Sequence, residues 1–593
     1  MKSLFLSAAL LALSAPVFAQ AQNYAGTRDL YSDTWVAVDD LGRQVAIAPR
    51  PPQPNKTVGM FYYVNKPTNY GGPVDISKAL AANPDSPALG NGGFTWWGEP
   101  YLGYFRSDDP WVVRHDLSML ADAGVDTLLF DTTNSNVYPQ TIHAIADAAF
   151  EMRKNGEKAP QFAFVTHFHS AERVQQIYDE FYKDKGFEPL WFRWNGKPII
   201  FGTRDDKKPD GTQLSDEVKN FFTWRASWAW DAGPGKWQWI DRFPQHPGQS
   251  ERGAVEQIPV AAASHPSIMV GRSFHDGKEP PLDGLSLTPD TGKGLFFAEQ
   301  WKRALEVDPP LVWLTQWNEW TAVPGQAGNG NGLSVGKTVM RPGDYTFIDV
   351  YNREFSRDIM PERGPMGDNY YLQAVDGIRK FKGARPTPKE AGFHTINVRG
   401  DFSQWNAVEN EYRDTLGDTF HRDFEGQGTN YYVNKSGRND IVRAKATCDA
   451  NNLYFYVQTR DPITSPRAYN WMQLLINADQ DYSTGWAGYD AVVNGNVKFV
   501  DKDRDPKPEM RRLFDNQLFP IEEKVEGNQM MLSVPRVKLG LTDPNQCAFD
   551  FHWVDNAPVG GDVKEWWQNG DSAPNGRFNY RFENTAPAPA DAP

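Results

Sequence analysis

Cysteine is nearly absent: Cys448 and Cys547 are the only two in 593 residues, and both lie late in the chain. That excludes a disulfide framework and gives almost no support to a cysteine metal site or a thiol nucleophile. The pair can form one bond in an oxidising compartment or remain two buried thiols. An excess of cations is also lacking. Asp and Glu number 75 against 61 Lys and Arg, for a formal net charge of −14. This disfavours nucleic acid or an anionic membrane as partner, because nothing is left over to neutralise phosphates. Beyond the N-terminus no apolar run is long enough to cross a bilayer. A Walker A loop, a GxSxG elbow and an HExxH helix are missing. What the chain does hold is aromatic mass, 21 Trp, 23 Tyr and 35 Phe. Hydrophobic residues make up 40% and charged residues 23%, the balance of a globular protein.

The opening stretch, MKSLFLSAALLALSAPVFAQAQ, has Lys2, an apolar run and then Val17-Phe18-Ala19. This is the pattern of a secretory signal over 1–19, cut between Ala19 and Gln20, with Pro16 ending the run too early for an anchor. An exported protein is expected, whether periplasmic, on the outer surface or secreted. Residues 20–56, interrupted by PRPPQP, read as a leader of loops.

From residue 57, strand-like and helix-like segments alternate. The strand candidates are TVGMFYYV (57–64), VDTLLFD (125–131), QFAFVTHF (161–168), KPIIFGT (197–203), TWRASWAW (223–230), IPVAAAS (258–264), PLVWLTQW (310–317) and TFIDVYN (346–352). Helical stripes fall between them, such as Val113, Leu117 and Leu120 after the cap Asp109-Pro110. Eight such units over 57–383 predict a (β/α)8 TIM-type barrel. The segment 231–257, rich in Gly, Pro and Trp, makes the fifth-to-sixth step a long loop. A doubly wound open sheet is the alternative, without its glycine-rich phosphate loop. Residues 384–392 read as a linker, and the pattern then turns all-β, with strands such as IVRAKATC, LYFYVQT and CAFDFHWV. The fold class is therefore α/β plus all-β, a barrel followed by an antiparallel β-sandwich over 393–583 and a disordered tail over 584–593.

Active groups of a parallel barrel stand where strands end. That rule selects Tyr62, Asp131, Asn134, His167, His169, Trp317, Asn318, Glu319 and Trp320, with Trp97, Glu99, Asp241 and Arg272 from loops around the rim. Several of these carboxylates sit beside aromatic residues. Sugars offer C–H faces to Trp and Tyr and hydroxyls to Asp, Asn, His and Arg. Glycoside cleavage needs two carboxyl groups, one able to give a proton. In VWLTQWNEWTA (312–322), Glu319 lies between Trp317 and Trp320, where lost hydration would hold a proton near neutrality. Glu319 is thus expected as the principal acid/base and Asp131 as the second carboxylate. Blander roles compete at each position. Glu319 can pair with a buried Arg, Asp131 can cap the next turn, Asp241 can be an ion-pair partner, and His167 and His169 can be satisfied core groups. His167-x-His169 with Asp131 gives a weak metal pattern, and no metal is assigned to the site. DQDYSTG (479–485) reads as a polar turn, a structural calcium elsewhere in the sandwich is possible, and no cofactor is required.

On GMFYYV, AGVDTLLFDTTN (123–134) and WLTQWNEW (313–320), the barrel resembles the family 99-like and family 71-like glycoside hydrolases. The sandwich is similar to family 9 carbohydrate-binding modules, on VRGDFSQWNAV, LLINADQDYSTGWAGYD and GDSAPNGRFNYRF. Family 99 carries N-E-W-x-E after strand seven; Glu319 matches the first glutamate, while the second position is Ala322. That departure sends the search for a partner carboxylate to Asp131, Glu99 or Asp241. The resemblance implies a secreted glycoside hydrolase acting on a polysaccharide or oligosaccharide. The alternative is a non-catalytic carbohydrate-binding protein on a degenerate barrel. Trp471, Trp486, Trp566 and Trp567 are the candidate sugar platforms of the sandwich.

Overall fold

A computed structural model describes residues 28–64, 73–83, 95–264, 270–278, 290–322, 324–326, 345–347, 353–494, 507–543, 545–558 and 560–585. The expected signal segment, the end of the tail and residues 348–352 of the eighth strand lie outside these.

Alternating periodicity produces one curled sheet with helices outside it. Its parallel strands are Thr57–Tyr63 (β1), Thr127–Asp131 (β2), Gln161–Val165 (β3), Lys197–Phe201 (β4), Thr223–Arg225 (β5), Val255–Ala261 (β6) and Leu311–Trp317 (β7). They lie side by side in the order β5-β4-β3-β2-β1-β7-β6. Helices Pro110–Ala123 (α1), Pro139–Lys154 (α2), Ser170–Ile177 (α3), Leu295–Val307 (α4) and Asn369–Lys382 (α5) accompany them. Asp109 caps α1 by accepting from the Trp111 N–H, and Gly124, at φ 91°, ends it.

Side chains alternate strictly across the sheet. Phe61, Leu129, Ala163, Val165, Phe201, Ala261 and Trp313 fill the concave side. Met60, Tyr62, Phe130, Phe164, Ile200, Val260 and Leu314 face the helices. This parity decides which strand-end residues reach the mouth.

Of the expected eighth strand only Thr346 and Phe347 are among the described residues, and Tyr345–Phe347 pairs antiparallel with Pro324–Gln326. β1 pairs directly with β7 on one side and β2 on the other. The described strands therefore form a curled half-barrel sheet and do not show a complete eight-stranded barrel. The gap from β5 to β6 is spanned by the stretch expected to be a loop. Ala226 bridges to Lys236 in parallel, the Gln249 N–H donates to the Lys236 carbonyl at 3.0 Å, and Gly248–Gln249 pairs with β6. Across the same gap Arg225 donates to both oxygens of Glu256 at 2.7 Å, and the Trp194 and Trp237 indoles donate to that carboxylate. Burial raises the Glu256 pKa, but these donors outweigh it and hold the group below its usual range.

The described residues beyond this unit form two larger β-sheets and a two-stranded ribbon, Arg422–Glu425 with Tyr431–Asn434. One runs Lys389–Ala391, Tyr580–Thr585, Ala548–Asp555, Gln473–Asn477, Ala491–Val493, Glu509–Arg512, Leu518–Pro520. The other runs Tyr412–Arg413, Ile441–Cys448, Asn452–Thr459, Gln529–Pro535, Glu522–Glu526. Part of the stretch read as a linker is therefore an edge strand of this unit, because Lys389–Ala391 pairs with Tyr580–Thr585. Cys448 and Cys547 are buried free thiols, and Cys448 hydrogen-bonds Cys547. DQDYSTG is a polar turn, with Asp479 accepting from Asp481 N–H and Asp481 from Ser483. The two units are fused by buried polar contacts. Arg422 donates to Asp109 at 2.7 Å, Asn575 to Asp122 at 2.8 Å, and Trp35 of the leader packs on Phe578.

Losing one partner of a buried ion pair strands the other charge. Arg225→Met alone should cost roughly 3–5 kcal/mol, and Arg225→Met/Glu256→Leu should recover most of that. Urea midpoints of the two variants check this; equal losses would show that the pair does not bolt the gap.

Candidate functional site at the strand ends

Parity brings Tyr63, not Tyr62, to the mouth. Tyr63 and Asp131 are register partners on β1 and β2 and point the same way as Phe61 and Leu129 below them. Burial pushes the Tyr63 phenol well up, the negative charges of Asp131 and Glu319 push it further, and a hydrogen bond to Thr321 opposes them. Tyr63 is thus the register neighbour of Asp131 and lies within electrostatic reach of Glu319. Sequence reasoning chose Tyr62 in its place, although the alternation in GMFYY carried the answer.

Tyr62 points away from the mouth. Its hydroxyl donates to Asp116 Oδ2 of α1 at 2.7 Å and accepts from Asn318 Nδ2 at 2.8 Å. Asn318 also donates to Asp116 at 3.1 Å. All three are buried, so Tyr62 and Asn318 hold the strand ends against α1. Asp116 was not anticipated. It occupies the i+3 position after Val113, inside the inward stripe of α1, which is the signal that could have found it. Burial raises its pKa to about 7 against the pull of Tyr62, Trp317 and Asn318. Asp358 rises to about 7 by burial as well.

The register of β1 on β7 slips after Phe61↔Thr315, so that Tyr62 faces Trp317 and Gln316 is extra. This bulge reverses the parity of the residues beyond it. Trp317, expected to orient a sugar, is fully buried on the helix side and packs edge-on against Tyr371. Trp320 and Trp97 stack on one another at 4.4 Å, both buried, with the Trp97 indole donating to the Glu319 carbonyl. They wall the site from behind.

Glu319 returns to the mouth side but is 4% exposed, and Arg357 Nη2 donates to both its oxygens at 2.8 Å. A buried guanidinium favours the charged carboxylate. The tryptophans expected beside Glu319 are present, and Arg357 adds a counter-charge that the local sequence did not indicate. Asp131 is partly exposed, and its Oδ1 accepts from the Thr133 N–H and hydroxyl at 3.0 and 2.7 Å, the turn-capping role.

An aromatic shelf continues from this pair. Arg357 lies over Trp239, Trp239 packs on Phe61 at 5.1 Å, and Trp228 meets Trp239 edge-on. The His167 ring stacks on Trp228 at 3.8 Å, and Phe168 stands edge-on to both. Phe168 and Trp230 expose half or nearly half of their surface. Burial lowers the His167 pKa although Asp231 opposes it, so the ring is neutral at neutral pH. Trp228, Trp230 and Phe168 were not singled out in advance; they lie just past strand ends but are not polar.

Other expected contacts are engaged elsewhere. Asp241 accepts from the Arg242 and His246 N–H groups and from His246 Nδ1 at 2.9 Å, fixing its own loop. Arg272 is buried over Tyr370, donating to the Ser356 and Asp358 carbonyls. Glu99 pairs with Lys78 and Arg363. Asn134 and His169 are exposed at the rim. In the sandwich Trp471, Trp566 and Trp567 are buried, which removes them as platforms, and Trp486 is partly exposed.

No family model matches the chain, and no curated protein matches it. Solved structures similar to it include a GH99 endo-alpha-mannosidase from Bacteroides thetaiotaomicron at 16% identity, covering 56% of this chain and 98% of that one, with a TM-score of 0.32. The same enzyme in complex with BIS-TRIS-propane matches at 14%, 55% and 97%, again with a TM-score of 0.32. A carbohydrate binding module of family 9 from Caldicellulosiruptor kristjanssonii in complex with cellotriose matches at 13%, covering 35% of this chain and 98% of that one, TM-score 0.19. At these scores the likeness assigns neither activity nor residues.

Asp116 is a carboxyl whose folded pKa of about 7 exceeds its ordinary 3.8. Between those values the folded chain holds a proton the unfolded chain has lost, so its contribution to stability is full below 3.8 and is lost as pH rises through 7. Asp116→Asn removes this titration and should gain on the parent steadily over that window. Melting both proteins across it tests the assignment, and parallel profiles would refute it.

Proposed function

We propose that the mouth of the curled sheet binds a carbohydrate chain and hydrolyses it. The carrying observation is two carboxylates at strand ends, Asp131 and the Arg357-paired Glu319, beside an aromatic shelf that runs from Trp239 through Trp228 to His167. A sugar ring stacks its C–H face on Trp228, Trp230 or Phe168 and turns its hydroxyls to the acids and the phenol. Hydrolysis divides the work between two carboxyls in different environments. Glu319, paired with Arg357, suits the permanently ionised role, facing positive charge developing on the sugar. Asp131, at the open rim, suits the proton-transferring role. This exchanges the parts assigned from sequence. Export through the N-terminal segment and a sandwich that tethers the enzyme to its polymer belong to the same proposal.

A binding-only protein is the second reading, and one observation favours it: both Glu319 oxygens are occupied by Arg357 at 4% exposure. Such a pair can hold a wall without reacting.

Incubating the protein with a panel of polysaccharides, while measuring binding heat and new reducing ends, separates the two. Hydrolysis predicts new ends, a loss of about 10²-fold or more in kcat for Asp131→Asn, and a KM raised roughly 3–10-fold for Trp228→Ala. Heat without new ends would leave the binding protein, and neither signal would discard the carbohydrate reading.

A further inference from the structure

The strongest unexplained chemistry lies far from the mouth, where the sandwich meets α1. Asp414 and Asp418, in the loop after Tyr412–Arg413, converge on Asp571, which begins a sandwich strand. One oxygen of each lies within 4.8 Å of the others. Acid clusters are common, but in this one Asp414 and Asp571 are buried and Asp418 is partly so. Asp414 is 0% exposed and Asp571 3%. Both Asp414 oxygens, Asp418 Oδ1 and Asp571 Oδ1 are buried without a hydrogen-bond partner, and Asp571 Oδ2 accepts only from the Ile441 N–H, at 2.5 Å.

Nearby cations are engaged elsewhere. Arg114 is bound to Glu157 at 3.1 Å and to Ser118, Arg28 donates to main-chain carbonyls, and Arg460 pairs with Asp440 at 2.8 Å. Asp122, Asp440, Asp555 and Glu157 add further negative charge around the three. Burial, then the charge of neighbouring carboxylates, raises all three carboxyls, with Asp440 the chief neighbour for Asp418. Leaving several buried carboxylate oxygens unmatched is costly unless something positive sits among them.

We propose that Asp414, Asp418 and Asp571 hold one calcium ion that locks the sandwich against α1. Ligands about 2.3–2.6 Å from calcium lie no more than roughly 5 Å apart, a spacing these oxygens meet. All donors are hard oxygens in an irregular array, which calcium accepts and magnesium resists. A cavity of ≈ 40 Å³, lined by Asp418, Asp571, Arg114 and Asn575, gives water ligands access. The ligand loop already touches the curled-sheet unit: the Leu416 N–H donates to Glu157 at 2.6 Å, and Asn575 bridges Asp122 and Thr415.

The test uses the full chain, stripped with chelator and titrated with calcium chloride. One saturable site is expected, with protons released on binding and a melting temperature raised by roughly 2–5 °C. Magnesium should bind more weakly. Asp414→Asn and Asp571→Asn, near-isosteric and each removing a repelling charge, should abolish heat and shift, while Asp481→Asn in the polar turn should keep both. No heat and no shift in the parent protein would overturn the proposal. So would Asp414→Asn and Asp571→Asn variants that respond like the parent, or an Asp481→Asn variant that does not respond.

Discussion

Arg357 and Glu319 are buried together, and neither charge is tolerable there without the other. The net stabilisation from such a pair is small, because desolvating both ions offsets most of their attraction, yet removing one leaves the second stranded. Geometry is therefore what the pair contributes. Trp97 and Trp320 close one side of it, Trp239 lies under the guanidinium, and the backbone of Glu319 is tied to the Trp97 indole. The wall of the mouth is held in place because the charged groups at its centre have demanding partners.

Most of the strand and helix pattern was legible because burial imposes strict periods. Val113, Leu117 and Leu120 on α1, and the apolar runs of β1 to β4 and β7, admit few other readings. The eighth strand was legible in type but not in pairing: TFIDVYN has strand composition, and pairing partners are not encoded in composition. Its described start, within Tyr345–Phe347, is a strand with an antiparallel neighbour. The stretch 231–257 is largely the loop that its Gly, Pro and Trp content indicated, and the bridge at Lys236 and the short Gly248–Gln249 pairing within it need no strand-like run.

The site was legible in its location and less so in its orientation. Asp131, His167 and Glu319 lie at the strand ends because parallel strands place them there. Which neighbours turn inward depends on parity, and parity is fragile. A single extra residue at Gln316 carries Trp317 to the helix side. Arg357 was invisible to local reading because it meets Glu319 from 38 residues later in the chain.

These facts converge on α1. Its acids act in three directions: Asp109 binds Arg422 of the sandwich, Asp116 gathers Tyr62 and Asn318, and Asp122 binds Asn575. Asn318 immediately precedes Glu319, so what fixes α1 also fixes the approach of the carboxylate to the mouth. The helix is thus a rail between the sandwich and the site. A cation at Asp414, Asp418 and Asp571 would stiffen the rail at its far end, beside Asn575, without touching the mouth. That arrangement gives the all-β unit a mechanical role in the site, independent of whether its own surface ever meets a sugar.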